Sequence, residues 1–206
     1  TSCNKPHHRG NCQEAQIKML NSEKIELFKE ETIKFNKKHN LISKKNTGKV
    51  IEEAIEEVKA LTKQLEQNKN ILDIGTGSGL PGIPLAIFNK NKNIYLSEKN
   101  NKKNYHLKKT IQRLNIKNAT IVGSSNKDTK INKKVDCVVT KAFASTKKTI
   151  SVANSFLEKP FTLMLLKGRL ETINKEIKEA NIKKGNYEII KIQSTKEKHI
   201  LKIRNE

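Results

Sequence analysis

The apolar positions of the chain change rhythm near residue 70. Before it, Ile25, Leu27, Phe28, Ile33 and Phe35 recur at mostly helical spacing, and so do Val50, Ile51, Ala54, Ile55, Val58 and Leu61. The pattern predicts a first helix opening at Ser22, with Glu23 in the first turn where a negative charge suits the helix dipole. Ile25 takes the place a capping box would give to Glu or Gln, and Phe35–Ser43 closes the segment. A second helix is expected from about Thr47 to Gln67, with Glu52, Glu53, Glu56 and Glu57 forming a solvated acidic face.

After residue 70, short apolar runs alternate with helical stretches. ILDI (71–74), NIYLSE (93–98), ATIV (119–122), VDCVVT (135–140) and FTLMLL (161–166) read as strands. Helices are expected near 82–90, 99–115, 146–158 and 170–181, which predicts a parallel sheet covered on both faces. YEIIKIQ (187–193) and KHILKIR (198–204), joined by Ser194–Glu197, read as an antiparallel hairpin. A mostly parallel α/β sheet ending in such a hairpin leans toward the methyltransferase variant of the Rossmann-like fold. The expected organisation is a leader or disordered segment over 1–20, an N-terminal helical extension over 21–69 and an α/β domain over 70–206.

Charge adds a partner class. The 206 residues carry 42 Lys+Arg against 21 Asp+Glu, a formal net charge of +21. Clustered cations bind a phosphate backbone and release its counterions, so a nucleic acid is the expected partner. Only four of the cations are Arg (Arg9, Arg113, Arg169, Arg204), and Asn and Ile are abundant too, so drift toward A/T-rich codons accounts for part of the excess. No run reaches the 18 or so apolar residues of a membrane span, and residues 1–20 lack a signal-type apolar region. Three cysteines make no disulfide framework and fit a reduced, cytoplasmic setting. Cys3, His7, His8 and Cys12 stand close together, but in no standard zinc spacing, so no metal is expected.

The most specific segment runs from Asp73 to Gly82, DIGTGSGLPG, directly after the first strand. A dinucleotide fingerprint would need Gly at position 80, where Leu80 stands. An acid on a strand end followed by G-x-G-x-G resembles the first motif of class I S-adenosylmethionine (SAM) methyltransferases. A second acid should then close the next strand to accept hydrogen bonds from the ribose hydroxyls, and Glu98 fits. The pair favours SAM over NAD. On the substrate side, no adjacent prolines supply the [D/N/S]-P-P-[aromatic] segment used on exocyclic amines. Cys137, inside an apolar strand, reads as a buried core residue and not as a cytosine-C5 nucleophile. The segment after the fourth strand is instead TKAFAS (140–145).

At this point the chain resembles the RsmG (GidB) family, bacterial methyltransferases that modify guanine N7 in 16S ribosomal RNA. Matching stretches are FNKKHNLIS (35–43), ILDIGTGSGLPGIPLAI (71–87), KKNYHLKK (102–109), TKAFAS (140–145), LLKG (165–168) and KEKHILKI (196–203). The resemblance implies a SAM site lined by Asp73, Gly75, Gly77, Gly79 and Leu80, with Glu98 on the ribose and Ser125 and Asn126 by the adenine. It places Lys141 beside the reacting groups, at the edge of the cofactor site, where the family has Arg, and pairs it with Lys167 as a substrate-positioning residue. His199 would be structural. The family's Trp stands as Phe35, and its R-H-I-x-D-S segment as Glu53–Val58, with Glu57 at best replacing the Asp.

Guanine N7 has a lone pair and no proton to lose, so the expected catalysis is alignment and electrostatics without a general acid or base. The implied substrate is 16S rRNA or a small-subunit particle, with no membrane and no stable protein partner. An RNA track is expected along 99–134, where eleven Lys/Arg face one acid, Asp128. With few aromatics, no Trp/Tyr stacking platform is expected. The competing readings are a SAM methyltransferase of another substrate, a basic RNA-binding protein with a vestigial methyltransferase fold and, more remotely, an NAD oxidoreductase.

Overall fold

The structure, a computed structural model, describes residues 19–39, 46–123, 131 and 133–205. Helix α1, Asn21–His39, starts one residue before Ser22, and the Glu23 carboxylate accepts the open N–H of Leu20 at 2.7 Å. Lys37, Lys38 and His39 fall in its last turn, where positive charge offsets the dipole. Helix α2, Thr47–Thr62, ends five residues short of the expected Gln67. Past its end the chain turns, and the Lys92 ammonium, almost buried, donates to the carbonyls of Leu65 and Asn68 at 2.7 Å and of Glu66 at 3.3 Å. A cation thus satisfies carbonyls of the turn that follows the helix.

The rest alternates as β1 Asn70–Ile74, α3 Gly82–Phe88, β2 Asn93–Ser97, α4 Asn101–Arg113, β3 Ala119–Val122, β4 Cys137–Lys141, α5 Thr146–Phe156, β5 Phe161–Lys167, α6 Leu170–Glu179, β6 Tyr187–Lys191 and β7 His199–Asn205. The sheet order is β3-β2-β1-β4-β5-β7-β6. The first five strands are parallel, and β7 inserts antiparallel between β5 and β6. The order reverses between β1 and β4, so the crevice beyond their carboxyl ends is where such a sheet holds a ligand.

Alternate residues of each central strand face opposite layers, and both layers are buried, as parallel sheets require. Ile71, Ile94 and Val139 join Ile25, Phe28, Ile51, Val58, Ile83 and Leu107 from α1 to α4. Leu72, Val138, Leu163 and Leu201 join Ala153 of α5 and Ile173 and Ile177 of α6. The first two helices therefore share one core with the sheet. Phe28→Ala should lower the unfolding free energy by about 3–5 kcal/mol. Urea denaturation should show one transition moved to lower urea; a sheet transition left in place would mean that α1 folds apart from it.

Candidate active site

The end of β1 delivers Asp73 into the interior, where it accepts the Gly82 N–H at 2.9 Å. Burial pushes its pKa up to about 7, against the pull of nearby Thr76 and of the Gly82 hydrogen bond. Beyond it Gly75, Gly77 and Gly79 have φ of 70°, 62° and 95°, a left-handed region that side chains disfavour. The N–H groups of Gly75 and Thr76 donate to the Ser97 carbonyl at 2.9 and 3.1 Å, which folds the loop over the end of β2. A Cβ on Gly82 would run into Leu96 and Asp73, so glycine lets the start of α3 lie against both.

Glu98 follows β2 and closes the loop from the other side. Its carboxylate accepts the Gly77 N–H at 3.0 Å and the Asn100 N–H at 2.8 Å, while the Asn104 amide holds its carbonyl at 2.9 Å. Asn100 in turn caps α4, accepting from Lys102 and Lys103. A Cβ on Gly77 would meet only the Gly75 carbonyl, at 3.8 Å, so the space above the loop is open. A cradle of bare main chain with a carboxylate at its rim fits SAM. Leu80 lies in the core against the helices, which leaves only its main chain to the site. Ser125 and Asn126 lie outside the described residues, as do Cys3, His7, His8 and Cys12.

Next to the glycine loop, the ends of β4 and β5 open into a cavity of about 270 Å³. Lys141 and Lys167 both line it, which brings the two sequence-predicted lysines together. The Lys141 ammonium bonds both oxygens of Glu57, at 2.7 and 2.9 Å, and the Lys198 ammonium lies 3.9 Å from the same carboxylate. Glu57 is 2% exposed, which corrects the expectation that it belongs to a solvated acidic face. It stands between Ala54 and Val58 on the inward side of α2, so the helical period that marked those two carried the signal.

Lys167 donates to the Ala144 carbonyl at 3.2 Å and to Glu176 at 2.7 Å, and the Thr146 N–H reaches the same Glu176 oxygen at 3.0 Å. Burial would raise the Glu176 pKa, but the bonds from Lys167 and Thr146 together outweigh it and hold the group below its usual range. His199 bonds the Gly168 carbonyl through Nδ1 at 2.8 Å, a structural tie between β7 and the end of β5. Cys137 is fully buried and its thiol pKa is pushed up, so it is an inert core residue. His106, stacked on Phe35 at 4.4 Å, is pushed down to about 4 by burial and stays neutral at pH 7.

The sequence profile of the GidB family, described as rRNA small subunit methyltransferase G, matches residues 21–202. The chain belongs to that family. Relatives named ribosomal RNA small subunit methyltransferase G include one from Brachyspira hyodysenteriae, 34% identical over 87% of this chain and 88% of its own. Another, from Aeromonas salmonicida, is 30% identical over 78% of this chain and 79% of its own. Among solved structures, M. jannaschii TYW2 in complex with AdoMet superposes with a TM-score of 0.50 at 21% identity, over 73% of this chain and 74% of that one. The tRNA (m1A58) methyltransferase TrmI from Aquifex aeolicus does so with a TM-score of 0.55 at 14% identity, over 73% and 69%. These likenesses place the fold in the class I methyltransferases. The chain is a SAM-dependent methyltransferase of the GidB family.

Two measurements check this geometry. Lys141→Met leaves the Glu57 charge buried with only the more distant Lys198, and should cost about 3 kcal/mol of stability. Adding Glu57→Gln should recover part of that, so a double-mutant cycle by urea denaturation should be non-additive; additive losses would mean that the pair is not coupled. Asp73→Asn keeps an acceptor for Gly82 but cannot ionise. In the wild type the unfolded carboxylate, with an ordinary value of 3.8, loses its proton before the folded one at about 7. The contribution of Asp73 to stability should therefore fall as pH rises from about 4 to about 7 and level off above. The advantage of Asp73→Asn should grow over that window, by at most about 4 kcal/mol, in denaturation curves taken at several pH values.

Proposed function

We propose that this chain transfers a methyl group from SAM to guanine N7 in small-subunit (16S) ribosomal RNA, as naked rRNA or within a small-subunit particle. The observation that carries the reading is the lysine-lined cavity directly beside the glycine loop, in a chain of this family. SAM, when bound, supplies a methyl group already activated by its sulfonium. Asp73, Glu98 and the main chain of 75–80 hold the donor side. Lys141 and Lys167 bind phosphate, ribose or guanine O6 on the acceptor side. The N7 lone pair needs no base to expose it, so the cavity requires no titrating His–Asp pair.

The charge of the cavity suits that product. Lys141, Lys167 and Lys198 face Glu57 and Glu176, a formal balance of one positive charge. Methylation makes the purine cationic, and uncompensated lysines would repel it. The carboxylates keep the ammonium groups available to O6 and phosphate while limiting that repulsion. Outside the cavity, exposed Lys99, Lys102, Lys108, Lys109, Lys117, Lys133 and Lys134 offer an electrostatic path for the RNA backbone. A cytoplasmic enzyme with no stable protein partner fits this role.

Labelled SAM with small-subunit rRNA or particles should yield 7-methylguanine at a defined site. Label on another base, on protein or on a small molecule would overturn the reading. Lys141→Ala should lower kcat/KM for RNA by roughly tenfold or more, with S-adenosylhomocysteine affinity unchanged, while Lys141→Arg keeps most activity. Equal loss of RNA methylation and cofactor affinity would remove Lys141 from the acceptor side.

A further inference from the structure

Four large apolar side chains are exposed among the described residues: Leu20, Tyr105, Phe143 and Leu170. Of these, Phe143 is the one that lines the cavity, together with Lys141, Lys167, Glu57 and Glu176. Its ring is 37% exposed, so part of its face is open to the cavity. The other part of the ring packs on Gly75: a Cβ there would run into Cδ2 and stand 2.9 Å from Cε2. Phe143 therefore forms the partition between the donor loop and the acceptor cavity.

The segment around it is fixed in place. Ala142 is held at φ 51°, a left-handed conformation that a residue with a Cβ adopts at a cost. On the far side, Lys167 grips the Ala144 carbonyl, and the Ser145 hydroxyl accepts the Lys148 N–H as the N-cap of α5. A strained residue before the ring and two anchors after it set its plane ahead of binding.

We propose that Phe143 is the stacking surface on which the target purine lies flat inside the cavity. This rests on the methyl-transfer function proposed above and adds how the acceptor base is oriented. A phenyl face offers a purine favourable contact over its whole plane and no hydrogen-bond donor that would compete for N7. Lys141 and Lys167 flank the ring with donors suited to O6 and phosphate, and Glu57 and Glu176 supply acceptors suited to base N–H groups. The low aromatic count of the chain rules out a multi-base platform, but a single flipped base needs only one ring.

The test uses guanosine 5′-monophosphate and protein loaded with S-adenosylhomocysteine. Stacking on Phe143 should move the nucleotide H8 resonance upfield through the ring current. Phe143→Leu, which keeps apolar volume but has no ring, should abolish the shift, and Phe143→Tyr should restore it. In parallel, Phe143→Leu should raise KM for rRNA by roughly tenfold while S-adenosylhomocysteine binds as in the wild type. Stacking is overturned if the wild type shows no H8 shift, if Phe143→Leu keeps it, or if rRNA and S-adenosylhomocysteine affinities fall together because the ring only packs the glycine loop. A Phe143-dependent shift in a wild-type protein that makes no 7-methylguanine would overturn the proposed activity and leave the stacking surface standing.

Discussion

Everything at the carboxyl edge of the sheet depends on how tightly the chain turns after β1. Between Asp73 and Gly82 the backbone bonds to the end of β2, supports the Phe143 ring beyond β4 and starts α3. The close approaches need missing side chains: Gly75 admits Phe143, Gly79 admits Ile83, and Gly82 admits Leu96 and Asp73. The left-handed φ values at Gly75 and Gly79 exclude most other residues a second time. Gly77 differs, since nothing crowds it and its N–H is taken by Glu98. Four glycines in one motif thus serve packing at three positions and access at the fourth.

The second organising interaction is the use of buried carboxylates to hold lysines at the strand ends. Glu57 arrives from α2 and Glu176 from α6, so the helical layers on both faces of the sheet reach over its edge to the same cavity. Each lysine is fixed in direction, where a free one would sample many rotamers. Net charge is a poor guide to this. Most of the lysines are exposed, and what separates Lys141 and Lys167 from them is a carboxylate within 3 Å and a place beside the glycine loop.

Most of the architecture was legible in the sequence because periodicity and glycine spacing are local signals. The strands, the helices between them and the terminal hairpin fall within a few residues of their expected positions. What was not legible depended on distant partners. The turn that follows the early end of α2 is held by Lys92, which takes the carbonyls of Leu65 and Asn68. Glu57 looked like one more acid in a run of four; the helical period marked its inward side, but its partners Lys141, 84 residues away, and Lys198 could not be read from it. Phe143 was part of a recognisable motif, yet its packing against a glycine on another loop could not be read from spacing.

Two departures from the family pattern that look independent in sequence meet in one ion pair. Lys141 stands where the resemblance gives Arg, and Glu57 where it gives Asp. A guanidinium binds a carboxylate through a rigid fork, whereas an ammonium is a point charge that needs the acid brought to it. Glu is one methylene longer than Asp, and here both of its oxygens reach the Lys141 nitrogen. The longer acid makes up for the simpler base, so the pair keeps its charge and its link between α2 and β4 while losing planar geometry. The altered second helix is thereby a working wall of the cavity. Its lost His and Ser remove polar groups that the proposed reaction at a proton-free nitrogen does not need, and a carboxylate in the cavity wall remains.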